Sequence, residues 1–268
     1  MPVKSPVIKT DKKKLSAWTN RNIINYLLVG VLVVGAFVIG SLYQKVQFLE
    51  GKSTVQPQQG DTAAAQVQQP VQAANIELAD SDPTLGEKNA PVKVFVFEDF
   101  QCPYCGAFSG LNEEMVSYMK ERYSDWEPAI NNIIKDYVET GKVLLVWKDY
   151  PFLGEESHFA AQAARCAQDQ DKFWEFHDYL FSHQDGENQG AFSKDNLKEF
   201  AGELGLKSDE FNNCLDSEKY KNQVQDAATY GQSVGVSGTP ATFIDGKMIS
   251  GAETYATFKT AIDTALGS

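Results

Sequence analysis

Two cysteines stand two residues apart in Cys102-Pro103-Tyr104-Cys105, a spacing that suits either a thiol–disulfide couple or half of a metal clip. Four-coordinate structural zinc needs a second ligand pair at similar spacing. Here Cys166 and Cys214 stand alone and far apart, and His158, His177 and His183 form no closely spaced pair, so redox chemistry is the stronger reading and no metal site is expected. Four cysteines allow three pairings. A two-residue spacer at a helix start closes on itself, which leaves Cys166 to pair with Cys214 as a structural staple. Two acids, Glu98 and Asp99, lie just upstream, and Thr239-Pro240 lies far downstream in Ser237-Gly238-Thr239-Pro240. No cofactor is implied by any of these residues.

The elements that must hold these groups can be read around them. Pro91 to Phe97 alternates Val92, Val94 and Val96 with Lys93, Phe95 and Phe97, the pattern of a strand covered on both faces. It runs into the C-x-x-C, after which the sequence is mostly helical to about Thr140. Cys102 therefore falls at a helix N-terminus, with Pro103 at the first helical position, where its missing N–H costs nothing. Unpaired N–H groups and the positive end of the helix dipole there favour a thiolate. Val143 to Trp147 reads as a neighbouring strand. Asp245-Gly246, between Ala241–Ile244 and Lys247–Ile249, is a hairpin signal. Pro240 just before a sheet strand has no ladder donor, and a cis Thr239–Pro240 bond resolves that conflict.

From about residue 150 to 235 helices accumulate. Leu197, Phe200, Ala201 and Leu204 follow the helical rule behind a Ser193 cap, and Ser217 is predicted to start another amphipathic stretch. The aromatic run Phe173, Trp174, Phe176, Tyr179, Phe181, with Leu180, is expected to be core rather than a peptide-binding surface.

Charge sorts the remainder of the chain. The net charge is −12, yet residues 1–22 carry six basic side chains against Asp11, whereas residues 83–268 hold 16 basic and 30 acidic groups. A polyanionic domain excludes nucleic-acid binding, which depends on Lys and Arg at phosphates. The basic head (1–22) is followed by an uncharged apolar run, residues 23–43, long enough for a transmembrane helix. Its flanking charges keep the head cytoplasmic and send the rest outside. A cleaved signal peptide is the alternative, but the small residues Val38 and Gly40 would place the cut inside the apolar run. Residues 44–82, rich in Gln and Ala, read as a flexible tether with a root-mean-square reach of about 35 Å. The folded domain is predicted over residues 83–268.

The order of strand, C-x-x-C at a helix start, helical block, Gly-Thr-Pro before a hairpin, and final helix resembles the DsbA-like thiol–disulfide oxidoreductases of the thioredoxin superfamily. The resemblance implies an α/β thioredoxin-like fold with a helical insertion. It implies Cys102 as nucleophile, Cys105 as buried resolving thiol, Pro240 as the cis-proline beside them, and Thr239 offering its backbone to an extended substrate. Two departures stand out. Pro103-Tyr104 replaces the Pro-His of the strongest oxidants, and the position six residues before the nucleophile, an acid in many relatives, is Val96. Glu98 and Asp99 become the candidate proton acceptors for Cys105, although the plainer expectation for both is a solvated strand edge. The implied function is disulfide insertion into reduced exported proteins, with a quinone-linked membrane partner as reoxidant. A reductase or isomerase would use the same residues, and a non-catalytic tethered binding or chaperone module is the reading from another class.

Overall fold

The computed structural model describes residues 75–267. The predicted basic head, the predicted membrane span 23–43 and most of the predicted tether lie outside them. Among the described residues no helix is long and apolar enough to cross a membrane.

Five strands, β1 (Thr84–Leu85), β2 (Val92–Glu98), β3 (Val143–Asp149), β4 (Ala241–Ile244) and β5 (Lys247–Ser250), form one sheet in the order β1-β3-β2-β4-β5. The central β2 and β3 are parallel and the other pairings antiparallel. Between β2 and β3 run α1 (Pro103–Ser109), α2 (Glu113–Arg122) and α3 (Ile130–Ile133, continuing as a π-helical turn Ile134–Val138). Between β3 and β4 come α4 (Glu155–Gln168), α5 (Phe173–Ser182), α6 (Lys194–Glu203), α7 (Ser208–Asp216) and α8 (Lys221–Ser233). Helix α9 (Tyr255–Gly267) follows β5.

Alternation along the central strands separates two cores. Val92, Val94 and Val96 join Val143, Leu145 and Trp147 in the larger core, under the helices that carry the cysteines. Phe95 and Phe97 join Leu144 and Val146 on the opposite face, against Ala228 of α8. Both faces of β2 are buried, as its nearly continuous apolar sequence requires. Asp245 and Gly246 both have positive φ, 49° and 69°, so the two-residue turn between β4 and β5 has the twist a hairpin needs.

The helical insertion follows its sequence pattern in most respects. Ser193 accepts from the Asn196 N–H at the start of α6, and Leu197 and Ala201 are fully buried. Phe173, Phe176, Leu180 and Phe181 of α5 lie inside the core, whereas Trp174 and Tyr179, expected there too, are half-buried on its margin. Ser217, predicted to open a helix, instead closes α7, and its hydroxyl donates to the Cys214 carbonyl. Serine caps either helix end through different backbone groups, and the pattern alone does not say which. Cys166 of α4 and Cys214 of α7 are disulfide-bonded, with sulfurs 2.00 Å apart.

Residues 75–82, assigned from composition to the tether, pack on the domain. Ile76 is buried beside Phe95, and the Glu77 N–H donates to the Tyr230 hydroxyl. Lys148 pairs with Asp82 at 2.5 Å and donates to the Glu77 carbonyl. Arg165, fully buried, donates to the Ser81 carbonyl and to Asp149, which also accepts from the Trp147 indole. Much of this docking uses main-chain carbonyls, which leave no trace in composition.

Candidate active site

The larger core places the cysteines. Strand β2 ends at Glu98, the chain turns through Asp99 to Gln101, and Cys102 becomes the N-cap of α1 in an extended conformation, φ −70° and ψ 116°. Pro103 occupies the first turn. The two cysteines are separate thiols in this structure. Cys105 is fully enclosed, Cys102 is 4% exposed, and the intervening Tyr104 is 45% exposed. Only Cys102 of the pair meets the surface.

From the other side the sheet delivers Thr239 and Pro240, whose peptide bond is cis. The Cys102 thiol donates to the Thr239 carbonyl at 3.4 Å. The Pro240 carbonyl accepts from Gly251, which ties this loop to the end of β5. The C-x-x-C and the Thr-Pro pair, far apart in sequence, thus meet at one point.

Electrostatics make the two sulfurs unequal. The Cys102 pKa is lowered, chiefly by a hydrogen bond from the Cys105 thiol, against the opposing effect of burial; the Thr239 side chain and the N–H groups of Cys105 and Tyr104 assist. The Cys105 thiol is pushed well up, first by burial, then by its bond to Cys102, the Cys102 charge and Glu98. Helix α1 has only seven residues, so local donors rather than an extended dipole carry this asymmetry.

Glu98 and Asp99 overturn the expectation of a solvated edge, since they are 2% and 1% exposed. Their roles differ. Asp99 is fully engaged: one oxygen accepts from the Gln101 N–H, the other from the N–H groups of Phe152 and Leu153. Glu98 falls on the same side of β2 as Val94 and Val96, facing the cysteine core, and its Oε1 has no hydrogen-bond partner within the protein. Its pKa is held well above the usual carboxylate range, by burial first and by the Cys102 charge second. The acid absent at Val96 is thus present two residues later on the same strand face.

Sequence reasoning missed a polar frame contributed by the loop after α5. The buried Gln101 side chain donates to Ser157 Oγ at 2.8 Å and accepts from the Asn188 N–H at 2.6 Å. Gln184 donates to the Phe100 carbonyl at 2.7 Å and to the Cys102 carbonyl at 3.0 Å. The one available signal was Gly106, an unexplained glycine inside a short helix directly after Cys105. Among the described residues no group of three or more His, Cys, Asp or Glu side chains is placed to hold a metal ion.

Beside Cys102 a cleft of about 750 Å³ is lined by Tyr104, Met119, Tyr123, Trp126, Thr239 and Ala252. Exposed tyrosines rim it, and the Trp126 indole donates to the Ala252 carbonyl, which fixes its wall.

A family model described as thioredoxin (Thioredoxin_4) matches residues 78–123 and 124–264. The probable disulfide bond formation protein D of Bacillus anthracis is 29% identical over 188 residues, 68% of this chain and 77% of that protein. A Na(+)/H(+) antiporter, NhaA 3 of Salinispora tropica, is 29% identical over 191 residues, but the match spans 70% of this chain and only 25% of that protein. Among solved structures, oxidised BdbD from Bacillus subtilis superposes with a TM-score of 0.60 at 27% identity, covering 70% of this chain and 94% of that one. DsbA from Chlamydia trachomatis, at 21% identity and a TM-score of 0.57, shares the fold over 71% of this chain and 95% of that one.

Proposed function

Because the chain belongs to this thioredoxin family, we propose that it is a DsbA-like protein disulfide oxidoreductase that introduces disulfides into reduced exported proteins through Cys102 and Cys105. The observation that carries this reading is the inequality of the two thiols beside Thr239-Pro240: Cys102 at the surface with a lowered pKa, Cys105 enclosed with a raised one.

The chemistry follows from that inequality. A client thiolate attacks Cys102 of the Cys102–Cys105 disulfide; a client–Cys102 bond forms, the Cys102–Cys105 bond breaks, and Cys105 leaves with the electron pair. Its high pKa means that Cys105 takes up a proton, and Glu98 is the buried acid beside it. The client's second thiolate then attacks the client sulfur of the mixed disulfide, and Cys102 leaves as a thiolate. The client is oxidised and the enzyme reduced by two electrons. The cleft beside Cys102, with Thr239 at its edge, accommodates an extended client segment.

The Cys166–Cys214 disulfide supports an extracytoplasmic address, because such bonds persist in oxidising compartments. The flanking charges of residues 23–43 support an anchor with a cytoplasmic N-terminus. A quinone-linked membrane protein is the proposed acceptor for the electrons. One observation favours the reductase or isomerase direction: Tyr104 stands where an imidazole would stabilise the Cys102 thiolate, and Glu98 and that thiolate disfavour each other's charge.

Equilibration of the Cys102–Cys105 pair against glutathione redox buffers separates the directions. The oxidase reading requires a potential above the roughly −270 mV of thioredoxin. A value at or below that level overturns it in favour of a reductase, and a pair that does not exchange at all leaves a binding module.

A further inference from the structure

The side chain of Gln184 lies outside the C-x-x-C and outside the Thr-Pro loop, yet its amide bridges the two carbonyls that bracket the turn into α1. Nε2 donates to the Phe100 oxygen at 2.7 Å and to the Cys102 oxygen at 3.0 Å. The Cys102 oxygen also accepts from the N–H groups of Cys105 and Gly106, at 3.0 and 3.2 Å. Three donors thus fix one carbonyl, and with it the peptide plane between Cys102 and Pro103.

The direction of the Gln184 amide is itself determined. Asn112 caps α2 by accepting the Met115 N–H on its Oδ1 at 2.9 Å, which leaves its Nδ2 free to donate. That Nδ2 donates to Gln184 Oε1 at 2.8 Å. Oε1 is therefore the end facing Asn112, and Nε2 must be the end facing Phe100 and Cys102.

An independent observation comes from Gly106. It sits inside α1 with ordinary helical backbone, where alanine would be the better helix former. A Cβ there would lie 2.2 Å from Gln184 Oε1 and 2.7 Å from Asn112 Cβ. The glycine directly after the resolving cysteine keeps open the space that the Gln184 amide and Asn112 occupy.

We propose that Gln184 is a positioning residue for thiol exchange, an amide clamp from the helical insertion that holds the Phe100 and Cys102 carbonyls, and with them the first turn of α1, in the orientation that presents the Cys102 sulfur. Two effects work together. The clamp fixes the first turn of a seven-residue helix too short to hold itself rigidly, and its donors offset two carbonyl dipoles whose negative ends would oppose a nearby thiolate. The insertion thereby sets the reactivity of a cysteine it does not touch through sulfur. This inference rests on the thiol-exchange reading.

The test uses the full chain in reduced form and measures the rate of Cys102 alkylation by iodoacetamide across pH, with denaturant unfolding in parallel. Gln184→Met keeps the length of the side chain and removes its donors; Gln184→Glu replaces them with acceptors; Gly106→Ala pushes the native amide out of place. Expected is an upward shift of the Cys102 midpoint by about 0.5–1 unit in Gln184→Met, equivalent to three- to tenfold less thiolate below the midpoint, with a larger shift in Gln184→Glu. Gly106→Ala should shift the midpoint in the same direction. An unchanged midpoint in Gln184→Met and Gly106→Ala, with only stability altered, overturns the inference and makes Gln184 merely structural. A wild-type Cys102 that titrates like an ordinary thiol is a different result: it removes the thiol-exchange reading itself.

Discussion

Replacing Glu98 by Gln removes the only buried carboxyl on the cysteine face that has an unbonded oxygen among the described residues, and the consequence for stability has a definite sign. In the unfolded chain a glutamate releases its proton near pH 4.3. In the folded protein burial, and then the Cys102 charge, hold the Glu98 pKa well above that range. Between the two midpoints the native state keeps a proton that the unfolded state has lost, so stability is fully present at low pH and falls as pH rises through this window. The slope approaches about 1.4 kcal/mol per pH unit. Gln has nearly the same shape and does not titrate. Apart from a constant offset for its amide, Glu98→Gln should gain on the wild type by about 1.4 kcal/mol for each pH unit of the window. Denaturant unfolding followed by tryptophan fluorescence, at half-unit steps from about pH 4 to 8.5, measures the divergence. The reduced protein should show the gain persisting to higher pH than the oxidised one, because only the reduced form carries a Cys102 thiolate to hold the Glu98 proton. Parallel curves for wild type and variant in both redox states would falsify the assignment of a raised Glu98.

Replacing Cys105 by Ser should trap mixed disulfides on Cys102, and replacing Cys102 by Ser should abolish them; equal trapping on non-reducing gels would mean that the nucleophile is misassigned. Replacing both Cys166 and Cys214 by Ala reopens a loop with a sequence separation of 48, which costs about 4 kcal/mol in the chain-entropy model. Denaturation of the double variant checks this, and a loss below about 1 kcal/mol would show that the bridge is no staple. Tyr104→His should lower the Cys102 pKa by adding a donor that can carry positive charge, and the pair should become more oxidising by about 30 mV per unit, read against glutathione buffers.

The parts of this site that depend on residue type were legible in the chain; those that depend on who meets whom were not. Cys102 and Cys105 announce themselves because few side chains do thiol chemistry, and Val92 to Phe97 places them because a doubly apolar strand has little choice but burial. Asp245-Gly246 needs positive φ twice and says so. Glu98 and Asp99 were misjudged for a physical reason: whether an acid is buried is decided by its partners, and Asp99 finds two of its three in Phe152 and Leu153, some fifty residues on. Gln184 sits in a polar loop where a glutamine looks like any surface residue until Gly106 and Asn112 are brought beside it.

The docked segment 75–82 also decides how a pull is shared within the molecule. A load applied at residue 75 meets its polar ties at Tyr230, Lys148 and Arg165, which belong to α8, β3 and α4. None of those ties is made to β2 or to the turn into Cys102. Force entering by this route is shared among the far face of the sheet and the insertion, and it reaches β2 through the apolar contact of Ile76 with Phe95. The polar ties thus hand most of the load to elements other than the turn that carries the sulfur.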